Sequence, residues 1–125
     1  MNDLQKRLLK FSAGVFVAMQ KLPYNADLRD NKNQLIRSSS SPGAHYGEAQ
    51  SAATRKDFIY KIGAVLKELR ESLYWLMYFR EIYPSKKDLE SYAEEAEELV
   101  KIFATIRKKA SLNSSSELAQ PPSSP

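Results

Sequence analysis

The sequence predicts an all-α protein, an antiparallel up-down-up-down four-helix bundle. Three observations predict it. Apolar residues recur at three- and four-residue steps through four separate stretches. Pro23 and Pro84 fall between stretches, where a helix has to stop. Glycine is scarce, with 4 in 125 residues, and most prolines sit at boundaries or in the tail, a composition that favours helices.

The first helix is expected from about Asp3 to Leu22. Leu4, Leu8, Phe11, Val15, Ala18, Met19 and Leu22 form one apolar stripe. Asn2 or Asp3 can cap its start, and Pro23 forces its exit.

The second is expected from about Asn25 to Ala53 and is the least ideal. Leu28, Leu35 and Ile36 begin an apolar face, and then Arg37-Ser38-Ser39-Ser40-Ser41-Pro42-Gly43-Ala44 reads as a loop on composition. The alternative is one helix kinked at Pro42, its small residues allowing close approach of neighbours. The kinked helix is favoured, because Ala44 to Ala53 has helical composition and no fresh cap.

The third starts at Thr54, with Asp57 three positions on in the manner of a capping box. Phe58, Ile62, Val65, Leu69, Ser72, Leu76 and Phe79 follow at heptad spacing, and Ile59, Leu66, Leu73 and Met77 widen the stripe. So wide a face suits a central helix, ending before Pro84.

The fourth opens at Ser85, with Asp88 three on. Leu89, Tyr92, Ala96, Leu99, Phe103, Ile106 and Ala110 form its stripe. Acids crowd its first half and Lys101, Arg107, Lys108 and Lys109 its end, an order that complements the helix dipole. The bundle is thus expected over 1–112, followed by a disordered Ser/Pro-rich tail over 113–125.

Composition narrows the chemistry. The absence of cysteine excludes a disulfide scaffold, a thiol nucleophile and any cysteine-ligated metal. His45 is the one histidine. No phosphate-binding glycine loop, nucleophile elbow or His-Glu-x-x-His motif occurs. No catalytic residue, cofactor or metal is therefore assigned. The net charge of +4 permits RNA or DNA as a partner without demanding it. No apolar run is long enough to span a bilayer, and the charged N-terminus is unlike a signal peptide, so a cytoplasmic setting and no membrane partner are expected.

Gln34, Arg37, Ser41, His45 and Glu48 repeat at helix spacing, with Tyr46 beside them, and make a polar face. It is either a site of subunit or ligand contact or an ordinary structural network. Glu68 and Glu71 lie one turn apart near the apolar stripe of the third helix, where they can pair with Arg37 or form a polar site at a subunit junction. Trp75, with Tyr74, Tyr78, Phe79 and Tyr83, crowds that helix's end. Aromatics are enriched at interfaces, which makes this a candidate surface for a homo-oligomer. Arg55, Lys56, Lys61 and Lys67, near Tyr60 and Tyr74, are the candidate nucleic-acid contacts. A metal site drawn from Glu48, Glu68, Glu71 and His45 is the alternative from a different class.

Four ordered motifs carry a resemblance. They are Gln34-Leu-Ile-Arg37-Ser38, Ser41-Pro-Gly-Ala-His45-Tyr-Gly-Glu48-Ala, Asp57-Phe58-Ile59-Tyr60-Lys61 and Lys67-Glu68-Leu-Arg-Glu71-Ser-Leu-Tyr-Trp75-Leu76. Over about residues 4–110 the chain resembles the four-helix-bundle proteins encoded in ribosomal-RNA intervening sequences. That family also contains the accessory variability protein of diversity-generating retroelements. The resemblance implies an antiparallel bundle assembled as a ring-like homopentamer. In the retroelement branch it implies a basic ring that binds nucleic acid and a reverse transcriptase. It supplies no catalytic residues. His45 stands where the family has Asn, and Pro42 where it has an aliphatic residue.

Overall fold

A computed structural model describes the backbone of residues 1–119 and the side chains of residues 1–113. Four helices follow one another: α1 (Asp3–Lys21), α2 (Arg29–Gln50), α3 (Arg55–Ile82) and α4 (Lys87–Ala119). A single 3-10 turn, Ala26–Leu28, leads into α2.

Local chemistry sets the boundaries. The Asn2 side chain accepts the Gln5 N–H at 2.8 Å and caps α1, which ends just before Pro23. Asn25 accepts the Asp27 N–H and starts the 3-10 turn, so α2 begins four residues later than the sequence suggests. Thr54 accepts the Asp57 N–H at 3.0 Å and caps α3 as expected. Ser85 does not start α4. Residues Tyr83 to Lys86 close a turn, with the Lys86 N–H bonded to the Tyr83 carbonyl, and the helix begins at Lys87.

The Ser-rich stretch is helical. α2 runs unbroken through Pro42, which is buried. The four serines return their hydroxyls to the backbone of the preceding turn: Ser38 to Leu35, Ser39 to Ile36, and Ser40 and Ser41 to Arg37. That satisfies them inside a helix where they would otherwise favour a loop. At the other end of the chain, α4 continues past 112 to Ala119, since no glycine or proline intervenes before Pro121. The rest of the expected tail, 120–125, lies outside the described residues.

α3 packs against α2 and α4, and α1 packs against α2 and, more lightly, α4. α1 and α3 therefore stand at opposite corners. Ion pairs fix the direction: Arg37 meets Glu68 and Glu71, while Glu48, further along α2, meets Lys61, earlier on α3. The two helices are antiparallel. Between α1 and α4 the same holds, with Arg7 on Glu95 and Glu98 and Lys21 facing Asp88.

The stripes read from the sequence line the core, except that Met77, read as widening the α3 stripe, faces solvent. Phe11, Val15, Leu35, Ile62, Leu69, Leu76, Phe79, Leu99 and Phe103 are sealed from solvent. Leu4 and Phe58, at stripe ends, are half-buried. Ser72 is the polar exception: its Oγ lies 2.9 Å from Ser38 Oγ and 2.9 Å from the Glu68 carbonyl, so α2 and α3 meet through small hydroxyls. No buried side-chain polar atom lacks a partner among the described residues.

Candidate functional site

The polar series on α2 splits into two clusters along the seam with α3. In the first, the Arg37 guanidinium donates to Glu68 at 3.0 Å, to Glu71 at 2.5 Å and to Gln34 at 3.4 Å. Its pKa is raised further, chiefly by the bond to Glu71. In the second, Lys61 donates to Glu48 at 2.9 Å, and His45 Nδ1 stands 4.0 Å from the same carboxylate. The Lys61 bond pulls Glu48 below the usual carboxylate range, and Glu48 raises Lys61 in return. Ser41 sits between the clusters with its hydroxyl turned to the Arg37 carbonyl. These residues share a face, as their spacing predicts, and their charges are met mainly by Glu68, Glu71 and Lys61 of α3.

Tyr46 does not belong to that face. It is buried, with its ring edge-on to Phe103 at 5.3 Å and its hydroxyl accepting from Asn2 at 3.0 Å. The tyrosine lies one position from His45, about 100° around the helix, and that rotation carries it into the core.

Trp75 is half-buried in an edge-to-face ladder. Its ring is 5.1 Å from Tyr74 and 5.4 Å from Tyr78, and Tyr78 is 5.5 Å from fully buried Phe79. The ladder rises from the core to an exposed Tyr74, with Met77 and Ile82 also open to solvent. A second apolar surface escaped the sequence reading. On α1, Leu9, Phe16 and Val17 are each about half exposed or more, at 58%, 48% and 49%. With Ala13 they follow helix spacing on the side turned away from the core stripe. The signal was present as an excess: Leu9, Phe16 and Val17 are apolar residues for which the α1 core stripe has no place.

The basic candidates divide as well. Lys61 is committed to Glu48. Arg55 and Lys56 lie exposed at the start of α3. Lys67 instead lines a groove of about 430 Å³ with His45, Tyr60, Gly63, Ala64, Glu68 and Arg107. Arg107, on α4, reaches across to α3, and its guanidinium lies where a Cβ on Gly63 would meet it at 3.3 Å. A neighbouring groove of about 280 Å³ adds Arg70 and Lys108. Among the described residues no carboxylate pairs with Lys67, Arg70, Arg107 or Lys108. Nor do three metal-ligating side chains come together there. No described helix is long and apolar enough to cross a membrane.

No family model matches this sequence, and no curated protein does either. Among solved structures, the chain is similar to a protein of unknown function from the S23 ribosomal protein family of Bacteroides thetaiotaomicron. The two share 29% identity with a TM-score of 0.76, over 84% of this chain and 98% of that one.

Proposed function

We propose that this chain is a non-enzymatic helical-bundle protein that works by self-association, and that it belongs with the ribosomal-RNA intervening-sequence proteins it resembles. The observation that carries the reading is the pair of exposed apolar surfaces on α1 and α3. Leu9, Phe16 and Val17 mark one; Tyr74, Met77 and Ile82 mark the other. The two helices occupy opposite corners, so the surfaces face opposite ways. Contact of one with the other on the next copy is head-to-tail, and a head-to-tail contact that closes makes a ring. The homopentamer implied by the resemblance is such a ring. The similarity to the Bacteroides protein supports the bundle, and that protein, itself of unknown function, leaves the role open.

Light scattering tests this at about tens of micromolar, a range in which stable assemblies of micromolar or better affinity persist. A mass near five times the 14.2 kDa of one chain is expected. Phe16→Glu with Val17→Glu should lower it while helicity is kept. A strict monomer overturns the proposal.

Nucleic acid as a partner is the second reading. It is favoured by the cations between α3 and α4 that have no carboxylate partner among the described residues, on a chain of net charge +4.

A further inference from the structure

Four cations and an exposed aromatic ring converge on the seam between α3 and α4, and the local acids are already occupied. Glu68 lines the same groove, but its carboxylate is held by Arg37, and the nearby Glu48 is held by Lys61. Lys67 and Arg107 are left with uncompensated charge among the described residues. Gly63 and Ala64 keep the groove open, and Gly63 lets the Arg107 guanidinium lie against α3. At the groove's edge Tyr60 is 72% exposed. An exposed tyrosine beside unpaired cations has the chemistry of a nucleotide site: the cations take the phosphate, and the ring takes a base on its face. Duplex nucleic acid would satisfy the cations but leave Tyr60 unused, because its bases are stacked on each other.

We infer that the groove formed by Tyr60, Lys67 and Arg107 binds a single-stranded nucleic acid, with phosphate on Lys67 and Arg107 and a base stacked on Tyr60. This rests on the second reading above. It moves the contact away from Lys61, which Glu48 holds, toward Arg107, Arg70 and Lys108.

Fluorescence anisotropy of the full chain with a labelled single-stranded RNA of mixed sequence, at roughly 50 mM salt, tests it. The competitors are unlabelled duplex of the same sequence and a free mononucleotide. Single strand should compete best, the mononucleotide weakly and duplex least. Tyr60→Ala should weaken binding about tenfold, and Tyr60→Phe should not. Lys67→Gln with Arg107→Gln should reduce the salt slope by about 1.4, since each single-strand phosphate contact contributes about 0.7. Lys6→Gln with Lys10→Gln, on α1, is the charge-matched control and should leave affinity within about twofold. No binding to either form of nucleic acid sinks both the site and the reading beneath it. Binding that tolerates the groove variants, falls equally in the α1 control, or prefers duplex overturns the site and leaves the nucleic-acid reading standing. Circular dichroism of each variant separates lost binding from lost fold.

Discussion

Arg37 and Glu71 sit 2.5 Å apart across the α2–α3 seam, and the same guanidinium reaches Glu68 at 3.0 Å. One side chain on α2 thus holds two successive turns of α3. Arg37 is half exposed, but Glu68 keeps only 14% of its side chain in solvent. An exposed pair is worth ~1 kcal/mol at most, and a carboxylate left covered and unpaired adds to the loss. Arg37→Met keeps the aliphatic stem and should cost about 1–2 kcal/mol in urea unfolding. Arg37→Lys should recover only part of that, since an ammonium lacks the fork that engages both acids. In the background Glu68→Gln with Glu71→Gln, the cost of Arg37→Met should nearly vanish. An equal cost in both backgrounds would show that Arg37 acts through its stem alone.

Gly14 and Tyr92 make a close contact between α1 and α4. A Cβ at Gly14 would fall 2.1 Å from the Tyr92 hydroxyl and 2.4 Å from its ring carbon. Tyr92 also packs edge-on against Phe11 at 6.4 Å, so displacing it opens the edge of the core. Gly14→Ala gains up to about 1 kcal/mol of helix propensity. Overpacking costs about 1–3 kcal/mol, so the net effect should be a loss of about 1 kcal/mol. In a Tyr92→Ala background the same substitution should become stabilising. If Gly14→Ala stabilises the parent chain, the tyrosine swings clear without cost.

Glu48 and Lys61 give a pH signature with a definite sign. The folded pKa of Glu48 is depressed, so its contribution is present above the unfolded value and is lost as pH falls through the folded one. Lys61 is raised, so its contribution is present below its unfolded value and is lost as pH climbs through the folded one. The stability difference between the parent and Glu48→Gln should be present from about pH 5 to about pH 9.5, and should fade on either side. The pair lies at the surface, with Glu48 exposed and Lys61 half-buried, so added salt should shrink the difference across the whole range. A difference that grows below pH 4 would rule the pair out as its source.

The helices were legible because their signals are local. The stripe from Leu8 to Leu22, the Thr54 cap and the stop before Pro84 each depend on a few neighbouring residues, and each stands as read. Start positions slipped where two caps compete: Ser85 looks like a cap, yet the turn from Tyr83 to Lys86 delays α4. The site was less legible because it depends on which charges meet. Spacing placed Arg37, His45 and Glu48 on one face and put Glu68 and Glu71 within reach of Arg37, a pairing that the structure shows, but only the packing of α2 on α3 shows that Lys61 takes Glu48. Arg107 was read as a dipole-complementing cation on α4. Its reach across to Gly63 is a tertiary fact that heptad counting does not hold.

Pro42 is the residue at which local propensity and fold disagree most. A proline inside a helix removes the N–H that would bond the carbonyl four residues back, here Ser38, and costs ~3 kcal/mol relative to alanine. Its ring is buried, so Pro42→Ala also removes about two methylenes from the interior, at about 0.8 kcal/mol each. The propensity term is the larger. Pro42→Ala should therefore raise stability by about 1 kcal/mol, measured by urea unfolding at matched protein concentration because assembly shifts the apparent value. The gain should appear with α2 helicity unchanged, since the four serines before Pro42 already bond to carbonyls of the preceding turn. A loss on Pro42→Ala would mean that the proline ring fits this part of the bundle better than propensity weighs against it. A bend in α2 would then be what brings Ser38 up to Ser72 at 2.9 Å, and Ser72→Val should cost more than the about 1 kcal/mol of one hydrogen bond.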